Sequence, residues 1–457
     1  MRVVIVGCTH AGTAVAMTLK QQDPSIEITA IEKNTTVSFL SCGIAIGAQH
    51  NIPMNKMFYN SVENMRSLGI KLFMQHEATS VDYATKTVHV SSMTESKTFS
   101  LQYDKLIISC GSAPIIPRFA AQPIPNVMLC KNFAHAETIT KYVQEFKNTG
   151  KSVSVLGGGY IGIELCETFA ENGFKVDLIE GEDRIMKKYF DPEFTTEAQN
   201  MLVKYGCNLH LGQLVEAITP VNGKITLKTQ KEEIQADAVV LCIGFRPNTD
   251  MFVKSAADQK VDLQNNRGVI TVNEYAQTSL PDIYAVGDAA CVKYFTGENR
   301  YIPLATNAVR QAIAASAHIL GVPIKLQTSQ GTSCIKVFDM GLASTGLTLA
   351  DAKVMYPGEV SSTNLKTKTR PEFLDVQDVE VKLVYKTKGH QLLGVQISAE
   401  KAGELIQTAS LLVQYKSTLE EIILTDFQFN PWYGKPQHCL QEAATLAAFG
   451  VEGEKFE

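Results

Sequence analysis

Ser152–Glu180, SVSVLGGGYIGIELCETFAENGFKVDLIE, is the stretch whose reading decides the fold. An apolar strand (Val153, Val155, Leu156) runs into Gly157-x-Gly159-x-x-Gly162. A helical pattern follows, with Ile161, Leu165 and Phe169 on one face. A second strand, Val176–Ile179, ends in Glu180, 18 residues past Gly162. This strand–turn–helix–strand order with a terminal acid is the pattern of a dinucleotide-binding fold. Gly157 permits the tight turn, Gly159 lets backbone approach a pyrophosphate, and Gly162 lets the helix pack close on the strand. The helix N-terminus offers unpaired N–H groups to the phosphates. The Glu180 carboxylate can accept from ribose hydroxyls.

Residues 1–33 repeat the pattern. Val3–Val6 is a strand, Gly7-Cys-Thr-His-Ala-Gly12 is the turn, and a helix runs through Leu19. A strand Glu27–Ile31 then ends at Glu32, 20 residues past Gly12. Thr9 stands where the middle glycine would be, so this copy is the weaker signal. Two copies 150 residues apart, at Gly7 and Gly157, predict two bound dinucleotides. FAD and a nicotinamide are the economical pair; the competing reading is a duplicated fold with one empty site.

The bulk composition sets limits. The chain has 457 residues, 45% hydrophobic and 19% charged, which predicts an ordinary globular protein of about three domains. A net charge of −5 gives no basic footprint for nucleic acid. No run of 18 apolar residues predicts a membrane span. Arg2 and Val3–Val6 imitate a signal peptide, but Gly7 and His10 interrupt the apolar run. Ten cysteines without a C-x-x-C pair suit a reducing cytoplasm. No metal site is expected.

Further along, Val37-Ser-Phe-Leu-Ser-Cys-Gly-Ile44 places Cys42 where a turn feeds a short helix, a setting that favours a thiolate. Taken alone, such a cysteine reads first as a small buried hydrophobe. The strand through Ile107 ends in Gly111-Ser112, small enough for close passage of a cofactor. Pro114, Pro117, Pro123 and Pro125 mark a linker. Asp282-Ile-Tyr-Ala-Val-Gly-Asp288 puts a carboxylate at a sheet edge, as a ligand for sugar hydroxyls or as an N-cap. Pro303-Leu-Ala-Thr306 opens a helix to about Leu320 whose N-terminus can stabilise negative charge on a reduced flavin. The expected architecture is α/β: two Rossmann-like domains, for FAD and NADH, plus a C-terminal α+β dimerisation domain. Its boundaries are 1–120 and 249–325 for the FAD-binding parts, 121–248 for NADH, and 326–457 for the interface. The aromatics Phe427, Phe429, Trp432 and Tyr433 read as core packing or as interface.

The order of glycine turn, Ser-Phe-Leu-Ser-Cys42, second glycine turn and Ala-Val-Gly-Asp288 resembles the single-cysteine branch of the pyridine nucleotide–disulfide oxidoreductases. It is most similar to the NADH oxidase and NADH peroxidase group, over nearly the whole chain. Leu241-Cys-Ile-Gly-Phe-Arg-Pro-Asn248 and Tyr301-Ile-Pro-Leu-Ala-Thr-Asn-Ala-Val-Arg-Gln311 resemble the water-forming oxidases especially. The resemblance implies that Cys42 cycles between thiolate and sulfenic acid beside the flavin. The position five after Cys42 is Gly47, so the C-x4-C pairing of the dithiol members is absent. His10 matches the group's active-site histidine, able to hold the proton that leaving hydroxide needs.

By the same resemblance, Gly7, Thr9, His10, Ala11, Gly12, Glu32, Lys33, Cys42, Ala78, Gly111, Ser112, Lys131, Gly287, Asp288, Leu304, Ala305 and Thr306 belong to the FAD site. Gly157, Gly159, Tyr160, Ile161, Gly162, Glu180 and Gly244 match NADH contacts, with Tyr160 as a ring that nicotinamide displaces. Phe429 matches a residue reaching the partner subunit's flavin region. The implied reaction reduces dioxygen to two waters with two NADH. An NADH peroxidase, a coenzyme A disulfide reductase, and a flavin- and NADH-binding redox sensor are the alternatives. The implied partners are NADH, dioxygen, hydrogen peroxide and a second copy of the chain.

Overall fold

Val3–Val6, apolar at every position, lies at the centre of a parallel sheet in the computed structural model, which describes residues 1–374 and 376–450. The strand Arg2–Val6 pairs with Glu27–Glu32 on one side and Lys105–Ile108 on the other. Lys71–Met74 and Ile283–Ala285 complete the sheet at its edges. A strand covered on both faces needs apolar side chains in both directions, which is why no alternation shows. Val3 and Ile5 pack with Val15 and Leu19 of the helix His10–Gln22 and with Ala308, Ala312 and Ala315 of the helix Ala305–Ile319. Val4 and Val6 face the other way, onto Val81, Val88, Val90 and Phe252.

This sheet belongs to one of two units, made of Met1–Ile116, Met128–Glu145 and Gly244–Thr328. The second comprises Pro117–Val127, Phe146–Ile243 and the chain from Ser329. In it the strands Cys207–Leu211, Lys175–Glu180, Ser152–Leu156 and Ala238–Leu241 lie side by side in that order, all parallel. A five-stranded antiparallel sheet follows, ordered Ser333–Val337, Met340–Gly346, Leu392–Ser398, Asp378–Lys386, Val360–Lys368. The helices Ala402–Gln414 and Cys439–Phe449 pack on it. The chain is thus α/β, with two parallel dinucleotide folds and a C-terminal α+β segment.

A buried charge cluster joins these two parts of the second unit. Lys382, 5% exposed at its side chain, lies 3.1 Å from Asp191 and 2.5 Å from Glu193. Asp191 also accepts from Gln396 Nε2 and from the Leu349 amide. Among the described residues no helix is long and apolar enough to cross a membrane.

The two glycine turns are one device built twice. Gly7 N donates to Ile31 O, and Gly157 N donates to Ile179 O, both at 2.8 Å. A Cβ on Gly12 would lie 1.8 Å from Gly7 O, and one on Gly162 would lie 1.9 Å from Gly157 O. No such space exists, so the helix start touches the turn only if both last positions are glycine. The middle position differs: a Cβ on Gly159 meets nothing within 4 Å, and Thr9 adopts φ −92° without strain. Gly162→Ala should therefore cost about 2–3 kcal/mol, whereas Gly159→Ala should stay within about 0.5 kcal/mol of the parent. Thermal unfolding of the two variants checks this; equal losses would contradict it.

Candidate active site

The predicted flavin residues come from separate stretches of the first unit, and the fold gathers a core of them. Asp288 follows the edge strand Ile283–Ala285 in a short turn, Gly287–Ala289. Its Oδ2 accepts from Ser112 Oγ at 2.6 Å and from Lys131 Nζ at 2.9 Å. The Lys131 ammonium also lies 4.3 Å from the centre of the Phe245 ring. Gly287 takes φ +68°, and a Cβ there would lie 3.2 Å from that of Ala11. Gly111 takes φ +66°, with open space where a Cβ would stand. Asp288 is therefore a hydrogen-bonded acceptor and not the N-cap of a helix.

Glu32 is buried at the end of its strand. Its Oε2 accepts from Cys8 N at 2.7 Å, and its Oε1 from Asn34 N at 2.8 Å. Glu180 repeats this, accepting from Gly158 N at 2.6 Å and Glu182 N at 2.8 Å. Each turn's own amides thus orient the acid before any ribose arrives. The helices His10–Gln22, Tyr160–Glu171 and Ala305–Ile319 begin at Thr9, Gly159 and Leu304 with no side-chain cap. By contrast, Ser61, Thr348 and Thr418 each cap the helix they precede. Helix N-termini left without an acceptor suit phosphate or reduced-flavin charge. Lys33 and Thr306 are exposed, Leu304 and Ala305 are half-buried, and Ala78 is buried at a bulge in the strand His76–Asp82.

Cys42 is exposed in the turn Ser41–Gly43, which leads into the helix Ile44–Gln49. His10 opens the first helix. Its Nδ1 lies 2.5 Å from Tyr59 Oη, and the two rings stack within 10° of parallel. Its Nε2 is buried with no protein partner among the described residues. Burial lowers the His10 pKa; Asp288 opposes this and Lys131 adds to it. Burial raises the Tyr59 phenol, with negative charge on Cys42 and Cys8 adding to the rise. Asp288 and Lys131 thus face His10, and Cys42 and Cys8 face the Tyr59 hydroxyl.

An orphaned imidazole nitrogen, uncapped helix starts and the Ser112–Lys131–Asp288 cluster fit the FAD expected here. Sequence reasoning missed Tyr59, because its partner lies 49 residues away and its own segment is irregular.

On the nicotinamide side, Tyr160 stacks on Tyr189 at 4.4 Å and its hydroxyl lies 2.8 Å from Ser333 Oγ. Ile161 is half-buried and Gly162 buried in the same helix. Gly244, at φ +110°, falls in the first unit. Arg184 lies 3.7 Å from Asp183 and donates to Phe190 O. Lys187, a second nearby base that the sequence reading passed over, pairs with Glu182 and Asp183. Glu164, four residues into the helix after Tyr160, was also missed; burial, with Glu167 beside it, pushes its carboxyl up to about 7. Phe429, Trp432 and Tyr433 are exposed on the single chain, which removes the core-packing reading for these three. Phe427 stacks on His438 at 4.6 Å.

Two nucleotide folds in one chain, with an exposed cysteine and a hydrogen-bonded histidine–tyrosine pair in the first unit, define a two-nucleotide oxidoreductase. Residues 1–312 match the family model described as pyridine nucleotide-disulphide oxidoreductase, and 332–435 match that family's dimerisation domain. The NADH oxidase of Enterococcus faecalis is 39% identical over 455 residues, covering 98% of this chain and 99% of its own. The water-forming NADH oxidase of Lactobacillus brevis, solved with NADH bound, is 36% identical at a TM-score of 0.92, with 98% of each chain covered. A CoA-dependent NAD(P)H sulfur oxidoreductase of Pyrococcus furiosus is 29% identical, over 94% of this chain and 95% of its own. The chain belongs to the pyridine nucleotide-disulphide oxidoreductase family.

Two outcomes follow from the second fold. Glu180 repels a 2′-phosphate while Arg184 and Lys187 are held by acids, so kcat/KM should favour NADH over NADPH by roughly 100-fold; equal rates would contradict this. Glu164 has a folded pKa above its unfolded value, so its contribution is present below pH about 4.5 and lost as pH rises through about 7. Relative to Glu164→Gln, the parent should lose about 2.5 kcal/mol between pH 5 and pH 8. Urea unfolding at both pH values measures it, and parallel losses in the two proteins would refute it.

Proposed function

We propose that this chain is an FAD-dependent NADH oxidase that reduces dioxygen to two waters with two NADH, using Cys42 as the peroxide-reducing thiol. The observation that carries the reading is the Tyr59–His10 hydrogen bond, with His10 Nε2 buried and unmatched, in the unit that exposes Cys42. The full-length likeness to the E. faecalis and L. brevis oxidases supports it.

Bound FAD would accept hydride from NADH and pass electrons to dioxygen and to the Cys42 sulfur. The protein's residues do the rest. Glu32, the Thr9 turn and the start of Ala305–Ile319 hold the flavin's ribose, phosphate and ring charge. Ser112 and Lys131 fix Asp288 for the ribityl hydroxyls. Gly157, Gly159 and Glu180 hold NADH. Cys42 traps hydrogen peroxide before it escapes, forming sulfenate and water. The second NADH restores the thiolate with one proton and releases the second water.

His10 supplies the polar hydrogen that the departing oxygen requires at Nε2. That histidine also weighs against coenzyme A disulfide reduction. Segments 1–120 and 249–325 for FAD, 121–248 for NADH and 326–457 for the interface remain the proposed division. The dimerisation-domain match and exposed Phe429, Trp432 and Tyr433 favour a homodimer. The cysteine usage favours the cytoplasm, where the enzyme would remove oxygen.

The test is an oxygen electrode with and without catalase. The proposed reaction consumes about two NADH per dioxygen, and Cys42→Ser moves the ratio to about one as peroxide accumulates. A parent ratio near one would reject water formation, and activity only with added peroxide would make the chain an NADH peroxidase.

A further inference from the structure

We infer that Tyr59 is the positioning residue of His10: its hydroxyl donates to Nδ1, so that Nε2 carries the hydrogen and donates a hydrogen bond to the oxygen leaving a peroxide at Cys42. This deepens the reading of Cys42 as a peroxide-reducing thiol and rests on it.

The geometry supplies the fixing. A 2.5 Å hydrogen bond to Nδ1 and a ring stack at 5.4 Å between centroids leave the imidazole one orientation. A ring flip would exchange Nδ1 for carbon and lose the bond. The Tyr59 segment is tied to the Cys42 turn. Leu40 N donates to Met57 O at 2.8 Å, and Phe39 bridges to Phe58. Phe133 packs its ring against both phenylalanines, at 5.6 Å and 5.3 Å. The Cys42 turn and the Tyr59 segment are therefore tied to each other, and Tyr59 ties His10 to both.

The direction of the bond follows from charge. Tyr59 is about half exposed on the single chain, yet desolvation of its hydroxyl, with negative charge on Cys42 and Cys8, pushes the phenol up, so it keeps its proton. Burial lowers His10, and of the charged groups facing it Asp288 raises and Lys131 lowers it. A neutral imidazole beside a protonated phenol accepts at Nδ1 and carries hydrogen at Nε2. Nε2 is the buried atom that no described protein group meets.

The step balances without a further acid. The Cys42 thiolate attacks one peroxide oxygen, the S–O bond forms and the O–O bond breaks. The departing oxygen takes the proton of the attacked oxygen and leaves as water, and Cys42 remains as sulfenate. Sulfur loses two electrons and peroxide gains them. The Nε2 hydrogen stabilises charge on the departing oxygen as the O–O bond opens.

The test uses holoenzyme with nitrogen-15 histidine, over about pH 6 to 8, where an imidazole titrates. His10 is assigned from the signal missing in His10→Gln. The parent should show the Nε2–H tautomer, and Tyr59→Phe should shift it toward a mixture. Single-turnover peroxide reduction by Tyr59→Phe should slow about tenfold, the scale of one lost hydrogen bond, with KM for NADH unchanged. An Nδ1–H tautomer in the parent, or peroxide reduction by Tyr59→Phe within about twofold of the parent, would overturn the inference. The parent spectrum decides even if Tyr59→Phe misfolds. Peroxide reduction by Cys42→Ser at the parent rate would instead sink the thiol reading and leave the tautomer result standing.

Discussion

Direct backbone contact between the first and last glycine of each turn is the constraint on which the rest depends. At Gly12 and Gly162 a side chain would fall inside the van der Waals radius of a carbonyl oxygen, 1.8 Å and 1.9 Å away. Removing that side chain sets the helix start directly against the end of the central strand. The uncapped N–H groups of that start then lie at the sheet's carboxyl edge, where nucleotide phosphates bind in such folds. The same contact puts the turn's amides within reach of the acid ending the next strand. Glu32 and Glu180 are consequently ordered by Cys8 N and Gly158 N in the protein itself. Binding a nucleotide then needs little rearrangement of either carboxylate, which reduces the ordering cost of association.

The first turn also places the residue to which the proposed chemistry looks, because His10 opens its helix. A helix start packed this tightly has one backbone setting, so the imidazole leaves it in a defined direction. Tyr59 completes the placement from a segment bridged to the Cys42 turn. The site is thus held at one end by backbone packing and at the other by the Phe39–Phe58–Phe133 cluster. Precision of this kind matters because misplacement of a reacting group by about 1 Å costs roughly 100-fold in rate.

The two nucleotide folds were legible in the sequence because close packing leaves strict marks: glycine at Gly7, Gly12, Gly157 and Gly162, and an acid at each strand end. Thr9 shows the limit of that signal, since the middle position faces ligand space and tolerates a side chain. Cys42 and His10 were singled out through resemblance, as were Asp288 and Lys131, each by itself. Their bonds to one another were not, because Ser112, Lys131 and Asp288 are joined across 157 and 176 residues of chain. Tyr59 carries no motif, and its importance comes from a contact with another stretch. The Lys382–Asp191 cluster and the raised Glu164 carboxyl were hidden for the same reason: burial is a property of the folded chain. Trp432 and Tyr433 read as core or as interface by composition alone, and their exposure on the single chain leaves the interface reading.

The central claim is that the sulfur of Cys42 takes the peroxide oxygen. The most direct measurement is chemical trapping during aerobic turnover with NADH, using a cyclic dione that alkylates sulfenic acid, followed by mass spectrometry of the cysteine peptides. The account predicts an adduct on Cys42, rising with turnover and absent from the buried cysteines. Continued production of water with no adduct at Cys42 would contradict it.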